Sequence, residues 1–251
     1  MRIAVAGGTG VVGRYVVEAA SAAGHDTVVL ARSEGVDTFS GDGLAQALDG
    51  VEAVIDATNA GTIEETAATE FFTTSTANLQ RVGAEQGTRH LVVLSIVGID
   101  RVPTGYYAAK LAHEQATRAG PVPATILRAT QFHEFAAQMI AWNRDDTVAR
   151  IPNLHIQPVA ARAVGQVLAE VAAGPPQGRA PDLGGPEEAD LVALARRLSD
   201  HLGLGIDVQA LEPKIPTGAL IPGGDARIEG PTFELWLTSD DATDGSVTIA
   251  P

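Results

Sequence analysis

The sequence predicts an α/β fold: a doubly wound parallel sheet with a small capping region towards its C-terminal end. Three observations predict it. Short apolar runs alternate with stretches of helical period as far as about residue 175. The runs are continuous in Val, Ile and Leu instead of alternating with polar residues, so both of their faces should be buried. A glycine cluster, "GGTGVVG", stands between the first run and the first helical stretch. Strand, helix, strand in succession implies parallel pairing through right-handed crossovers.

The elements follow in order. "RIAVAG" is the first strand, and Val11 to Ala23 the first helix. "DTVVLA" is the second strand, and the weaker run "GVDTFSG" is expected to add another. A short helical stretch, Gly43 to Leu48, leads to "VEAVIDAT". Helical period then covers Ala67 to Glu85, "HLVVLSIVG" is a strand, and Tyr106 to Arg118 is helical. "ATILRAT" closes the regular part, with Glu134 to Trp142 helical after it.

The pattern changes after Thr130. "IPNLHIQPVAARAVGQVLAEVAAG" reads as a short strand and a helix, stopped by "GPPQG". "LGGPEEADLVALARRLSDHLGLG" contains an amphipathic helix, and a Pro/Gly-rich stretch runs from Glu212 to Pro231. "TFELWLTSD" is expected as a late strand and "DATDGSVTIAP" as a loose tail. At 251 residues the chain is expected to be a single domain. Residues 1–175 form mainly its core, with about 130–160 and 176–251 supplying the cap.

Composition narrows the function. The formal charge of −14 argues against nucleic acid and anionic membranes as partners, since either needs a basic field. The absence of cysteine excludes disulfides, thiolate zinc sites and a cysteine nucleophile. His25, His90, His113, His155 and His201 are scattered without metal-site spacing, so no metal is expected. The first apolar run breaks at Gly7, too early for a signal peptide, and no run approaches the roughly 20 apolar residues of a membrane span. The expectation is a cytoplasmic protein, monomer or homodimer, acting on a small molecule. There is no G-x-S-x-G elbow and no Walker-type glycine–lysine loop, which disfavours a serine hydrolase and an ATPase.

The glycine cluster holds two overlapping patterns: G-x-x-G-x-x-G through Gly7, Gly10 and Gly13, and G-x-G-x-x-G starting at Gly8. Either places bare amides and the partial positive charge of a helix N-terminus where a pyrophosphate can bind. Gly7, Thr9, Gly10, Val11, Val12 and Gly13 are therefore cofactor-binding candidates in a Rossmann-like core. At the end of the second run, where such folds usually place an acid on the adenosine ribose, the chain reads "ARSEG". Arg32 and Ser33 suit a 2′-phosphate, so NADP(H) is favoured over NAD(H). The competing reading leaves Arg32 in solvent and gives the ribose to Glu34. Asp42 stands either near the adenine edge or in a surface loop.

"GGTGVVG", "ARS", "LSIVGID", "YYAAK" and "LRATQFHEF" together resemble the atypical short-chain dehydrogenase/reductase proteins, specifically the NmrA-like NAD(P)-binding group. The resemblance covers roughly the first 175 residues and implies that Gly7, Gly10 and Gly13 carry the motif. "YYAAK" places Tyr106 and Lys110 on one helix face. A tyrosine normally ionises near pH 10; an adjacent ammonium, together with an oxidised nicotinamide, is expected to lower that value and make the phenol a usable proton donor or acceptor. Lys110 can also hydrogen-bond the nicotinamide ribose. The resemblance gives the catalytic serine, tyrosine and lysine roles to Ser95, Tyr106 and Lys110. Tyr107, at i, i+3 from Lys110, is a geometric alternative, and packing aromatics are another.

Other residues join the same edge. Ala57, Thr58 and Asn59 should pass over the cofactor, with Asp56 a satisfied structural acid. Thr130 is assigned to the nicotinamide carboxamide. Gln131, Phe132 and His133 face the substrate, or His133 is a hydrogen-bonded wall residue. Trp142 and Trp236 line a pocket or belong to the core. The leading expectation is an NADP(H)-dependent oxidoreductase reducing a small, largely apolar carbonyl or quinone. Its rivals are a non-catalytic NADP(H)-sensing regulatory protein and a non-redox isomerase or cyclase.

Overall fold

The computed structural model describes residues 1–243. The elements are, in chain order, β1 (Arg2–Ala6), α1 (Gly13–Ala22), β2 (Asp26–Leu30), α2 (Leu44–Ala47), β3 (Ala53–Asp56), α3 (Glu65–Gln86), β4 (His90–Ile96), α4 (Tyr106–Ala119) and β5 (Ala124–Ala129). There follow α5 (Phe135–Asn143), β6 (Arg144–Asp145), β7 (Val148–Pro152), β8 (His155–Ile156), α6 (Ala161–Ala173), β9 (Gly178–Arg179), β10 (Leu183–Gly184) and β11 (Ala189–Asp190). The last helices and strands among the described residues are α7 (Leu191–His201), β12 (Asp207–Leu211), β13 (Arg227–Ile228) and α8 (Phe233–Leu237). It divides into two compact units, one of residues 1–129 and 162–181, the other of 130–161 and the chain from 182 on.

In the first unit the strands run β2-β1-β3-β4-β5-β9, all parallel. The register aligns Ala6 with Leu30 and Asp56, so β1, β2 and β3 end in one row, while β4, whose Val93 pairs with Asp56, runs on to Ile96. The chain leaves β1 for β2 on one side and returns to β3 on the other. That reversal opens a crevice beyond the carboxyl ends of β1 and β3, where open α/β sheets hold ligands. Strand burial explains the continuous apolar runs: Ile3, Ala4, Val5 and Ala6 are fully buried, and Ala4, Val54, Leu91 and Val93 share one core cluster with Leu79 and Val82 of α3.

Two expected strands are absent. The run "GVDTFSG" forms no strand: Asp37 Oδ1 accepts the amides of Phe39 and Ser40, and Gly35, Gly41 and Gly43 all have positive φ. An aspartate turn between left-handed glycines defeats extended pairing. "TFELWLTSD" is helical, because Thr232 Oγ1 caps the Leu235 amide and Phe233, Trp236 and Leu237 fall on one buried face. The tail expected over 241–251 lies, from residue 244 on, outside the described residues.

The second unit contains β12 parallel to β7, β6 antiparallel to β7, β8 antiparallel to β11, and β10 parallel to β13. Among the described residues no helix is long and apolar enough to cross a membrane.

In the first unit α6 lies directly on α1. A Cβ built on Gly165 would stand 2.7 Å from the Tyr15 carbonyl carbon and 2.8 Å from the Val16 amide nitrogen. Arg162 stacks over the Tyr15 ring at 4.4 Å and pairs with Glu18. Replacing a helix glycine by alanine ordinarily gains about 1 kcal/mol of propensity, while overpacking costs about 1–3 kcal/mol. Because the obstacle here is backbone, the cost wins. Gly165→Ala should therefore lower the urea midpoint at unchanged m-value; a raised midpoint would show that the helices are not in that close contact.

Candidate functional site

The turn after β1 is built by three glycines for three different reasons. Gly7 has φ +73°, which a side chain rarely adopts, and its carbonyl accepts the Gly10 amide at 2.9 Å. Gly13 opens α1 so close to that turn that a Cβ would lie 2.0 Å from the Gly7 carbonyl oxygen. Gly10 is exposed, and its added Cβ would meet only that oxygen, at 3.1 Å. Gly8 points the other way, where a Cβ would press on Val29 and the Val5 carbonyl at 3.0 Å. The spacing through Gly7, Gly10 and Gly13 thus forms the cradle, and Gly8 serves strand packing.

No side chain caps α1, and the amides of Thr9, Val11 and Val12 have no hydrogen-bond partner among the described residues. Thr9, Gly10 and Val11 are exposed, and Val12 is buried. Bare donors at the open end of a ten-residue helix fit a pyrophosphate. At the end of β2, Arg32 and Ser33 enter a short 3₁₀ turn with Glu34. All three are exposed, and the Arg32 guanidinium has no acidic partner among the described residues. Asp42 is exposed in the following loop.

The segment after β3 crosses beside the glycine turn. The Ala57 amide donates to the Ala6 carbonyl, and an added Cβ on Gly7 would lie 2.8 Å from the Ala57 oxygen. Thr58 turns inward: its amide and hydroxyl both donate to Asp56 Oδ1, at 2.9 and 2.6 Å. Asn59 Oδ1 accepts the Tyr106 phenol at 3.1 Å. The structure thus joins Tyr106 to the loop beside the glycines.

The pair at the start of α4 behaves differently from its expectation. Tyr106 packs edge-on against Phe72 of α3, and burial, with Tyr107 and Asp56 nearby, pushes its phenol up to about 12. The expected lowering by Lys110 is absent from this arrangement because the amine is directed elsewhere. Lys110 is buried, with Nζ donating to the Leu94 carbonyl and to His113 Nδ1, each at 2.9 Å. His113 Nε2 meets Asp56 Oδ2 at 3.1 Å. An ammonium has only protons to offer, so His113 Nδ1 is the acceptor and Nε2–H donates to Asp56. Phe72 stacks on the His113 ring at 4.8 Å and lies 4.4 Å below Nζ. Burial would raise the Asp56 carboxyl, but hydrogen bonds from His113 and Thr58 outweigh it and hold it at about 2. Burial lowers Lys110 to about 8 against the attraction of Asp56 and Glu114, and burial with Lys110 keeps His113 below its usual range.

Ser95 is buried near the end of β4. Its hydroxyl donates to Glu114 Oε1 at 2.6 Å, inside a buried ion cluster. Arg128 grips Glu114 with Nε and Nη2, at 2.7 and 3.0 Å, and reaches Asp100 with Nη1 at 2.7 Å; Arg118 adds a further bond to Glu114. Burial would raise Glu114, but the bonds from Arg128 and Ser95 keep its carboxyl low. The sequence reading missed His113, Glu114 and Arg128. Two signals pointed to them: an arginine inside the apolar run "ATILRAT", and the polar stripe Lys110, His113, Glu114 and Thr117 on one helix face.

Thr130, Gln131, Phe132 and His133 lie in the second unit. Thr130 Oγ1 donates to the Gln157 carbonyl at 2.6 Å. Gln131 is buried, with its Oε1 unpartnered, and Phe132 bridges to Val159. His133 Nε2 donates to the Pro231 carbonyl at 3.1 Å, while burial pulls the ring down to about 4 and keeps it neutral. Its ring packs on Phe233 and Trp236, so Trp236 is core, whereas Trp142 is exposed. A pocket of about 100 Å³ in this unit is lined by His133, Pro158, Leu194, Arg197 and Phe233, among others. Among the described residues no cluster of three His, Asp or Glu side chains could hold a metal ion.

The fold has counterparts among solved structures. The chain is similar in structure to MoeE5 in complex with UDP-glucose and NAD, at 15% identity and a TM-score of 0.74, covering 99% of this chain and 100% of that one. It is similar to a short-chain dehydrogenase/reductase superfamily protein from Agrobacterium tumefaciens with bound NAD, at 17% identity and a TM-score of 0.63, covering 99% and 97%. It is also similar to RMD from Pseudomonas aeruginosa complexed with NADPH, at 14% identity and a TM-score of 0.69, covering 97% and 99%. At such identities the likeness is one of fold. No curated protein matches the sequence. A family model described as NAD(P)H-binding matches residues 7–175, which includes the glycine turn, the crevice and α4. With more than half of its length so matched, the chain belongs to this NAD(P)H-binding family.

Proposed function

We propose that the protein is an NADP(H)-dependent oxidoreductase reducing a small, largely apolar carbonyl or quinone. The observation that carries the reading is the continuity of the carboxyl edge: the glycine cradle touches Ala57, and two residues on, Asn59 holds the Tyr106 phenol at 3.1 Å. The proton-bearing group therefore belongs to the same edge as the open amides.

NADPH, when bound, supplies the hydride. The chain supplies orientation and a proton. Thr9, Val11 and Val12 offer amides to the diphosphate, and Arg32, which has no acidic partner among the described residues, offers a guanidinium to the 2′-phosphate, with Ser33 adding a hydroxyl. Lys110 places its ammonium at the Leu94 carbonyl, two residues before the end of β4. Tyr106 keeps its proton at every physiological pH, which suits a donor to a developing alkoxide. Ser95, bonded to Glu114, acts in this reading by fixing the end of β4. Gln131, Phe132 and neutral His133 are proposed as substrate contacts.

A second reading is favoured by one observation. Ser95 and Tyr106 both already donate their protons to side chains of the chain itself, Glu114 and Asn59, which suits a non-catalytic NADP(H)-responsive protein. Purified protein mixed with NADPH and a panel of carbonyls and quinones separates the two. Tight binding with no oxidation of NADPH across the panel would reject the reductase.

Four outcomes are expected. Gly10→Ala, whose methyl projects into the open cradle, should weaken NADPH binding more than about tenfold while the unfolding midpoint barely moves. Arg32→Gln should weaken NADPH by about tenfold, the worth of one charge-assisted bond, and leave NADH affinity unchanged; equal losses for both would assign Arg32 no phosphate. Tyr106→Phe should lower turnover by about 10²–10⁴-fold with little change in NADPH affinity. Because the phenol ionises only near 12, the wild-type rate should show no limb from Tyr106 between about pH 6 and 9.

A further inference from the structure

We propose that Asp56 and His113 are positioning residues for Lys110: Asp56 fixes the His113 tautomer, and His113 holds the Lys110 ammonium in place. The inference deepens the reading of Lys110 as part of the nicotinamide end and rests on it for its functional meaning.

The geometry is a continuous hydrogen-bonded run of buried groups. Asp56 ends β3, His113 and Lys110 lie one helical turn apart on α4, and all three are nearly inaccessible to solvent. An isolated ammonium in such a site is costly, and its protons must find acceptors. The Leu94 carbonyl takes one and His113 Nδ1 takes another, while the Phe72 ring faces the charge at 4.4 Å. His113 can accept only if its own proton sits on Nε2. That proton stays there because Asp56 Oδ2 receives it at 3.1 Å. Without the carboxylate, either ring nitrogen could carry the proton, and Nδ1–H would confront the ammonium donor to donor. Thr58 in turn pins Asp56 with two bonds to Oδ1, leaving Oδ2 for the imidazole.

The charges around Lys110 come from three elements. Asp56 belongs to β3; Tyr106, Tyr107, His113 and Glu114 belong to α4; Arg128 of β5 is paired with Glu114. Against burial, Asp56 and Glu114 are the anions that favour the charged amine, and Glu114 is already engaged by Arg128 and Arg118. Asp56 is therefore the anion whose loss Lys110 should feel most.

The sequence contains two lysines, Lys110 and Lys214, so selective ¹³Cε labelling of lysine gives two signals that Lys214→Arg assigns. Lys110 should titrate near 8 in the intact protein. Asp56→Asn should lower that midpoint by about one pH unit or more. His113→Gln, whose amide can accept from Lys110 and donate to Asp56, should retain most of it, and His113→Leu should not. An unmoved midpoint in Asp56→Asn would overturn the proposal. Should Asp56→Asn fail to fold, the ring-nitrogen spectrum of wild-type His113 decides: a neutral ring with its proton on Nε2 between about pH 6 and 8 is expected, and the Nδ1–H tautomer or an imidazolium would overturn it. These readouts need no cofactor, so a failure to bind NADPH would remove the oxidoreductase reading and leave the Lys110 result standing.

Discussion

The close approach of α1 to the turn after β1 sets the terms for the rest of the first unit. Gly13 sits so near Gly7 that no side chain fits between them, and Gly7 needs a left-handed backbone to make the turn at all. The N-cap residue is Val12, whose side chain has no acceptor to offer, so the helix starts without a side-chain cap. Three amides without a partner among the described residues, those of Thr9, Val11 and Val12, thus gather at the crevice beyond β1 and β3.

Around that crevice the chemistry divides into a permanent part and a poised part. The ion cluster of Glu114, Arg128, Ser95 and Asp100 ties α4 to β4 and β5, with the carboxylate held charged against its burial. Breaking a buried pair of this kind strands an unpaired charge, which typically costs about 3–5 kcal/mol. Beside it, Asp56, His113 and Lys110 form a neutral sum of one anion, one uncharged ring and one cation. The first cluster fixes the helix; the second sets the proton inventory at its amino-terminal end, where Tyr106 stands.

Much of this was legible in the amino-acid order. The continuous Val, Ile and Leu runs announced parallel strands because both faces of those strands are covered, as Ile3 to Ala6 show. The glycine spacing announced the cradle because each requirement is local to the turn. The segment 35–41 misled, since its apolar residues suggested a strand while the Asp37 turn and the positive-φ glycines settled the matter. Residues 233–237 misled for the opposite reason: five residues are too few for periodicity to separate helix from strand, and the Thr232 cap decides. Tyr106 and Lys110 could be paired from their spacing, but their partners could not. His113 to Asp56 and Arg128 to Glu114 are contacts across 57 and 14 residues, created by sheet topology and invisible to local pattern.

The account depends on the open amides of the first turn receiving a dinucleotide. Titrating NADP⁺ into ¹⁵N-labelled protein and following the amide signals of Thr9, Val11 and Val12 tests this most directly. Saturable shifts at those three amides, larger than those of the second unit's helices, are predicted. Signals that stay in place at millimolar NADP⁺ and NAD⁺ in folded protein would contradict it.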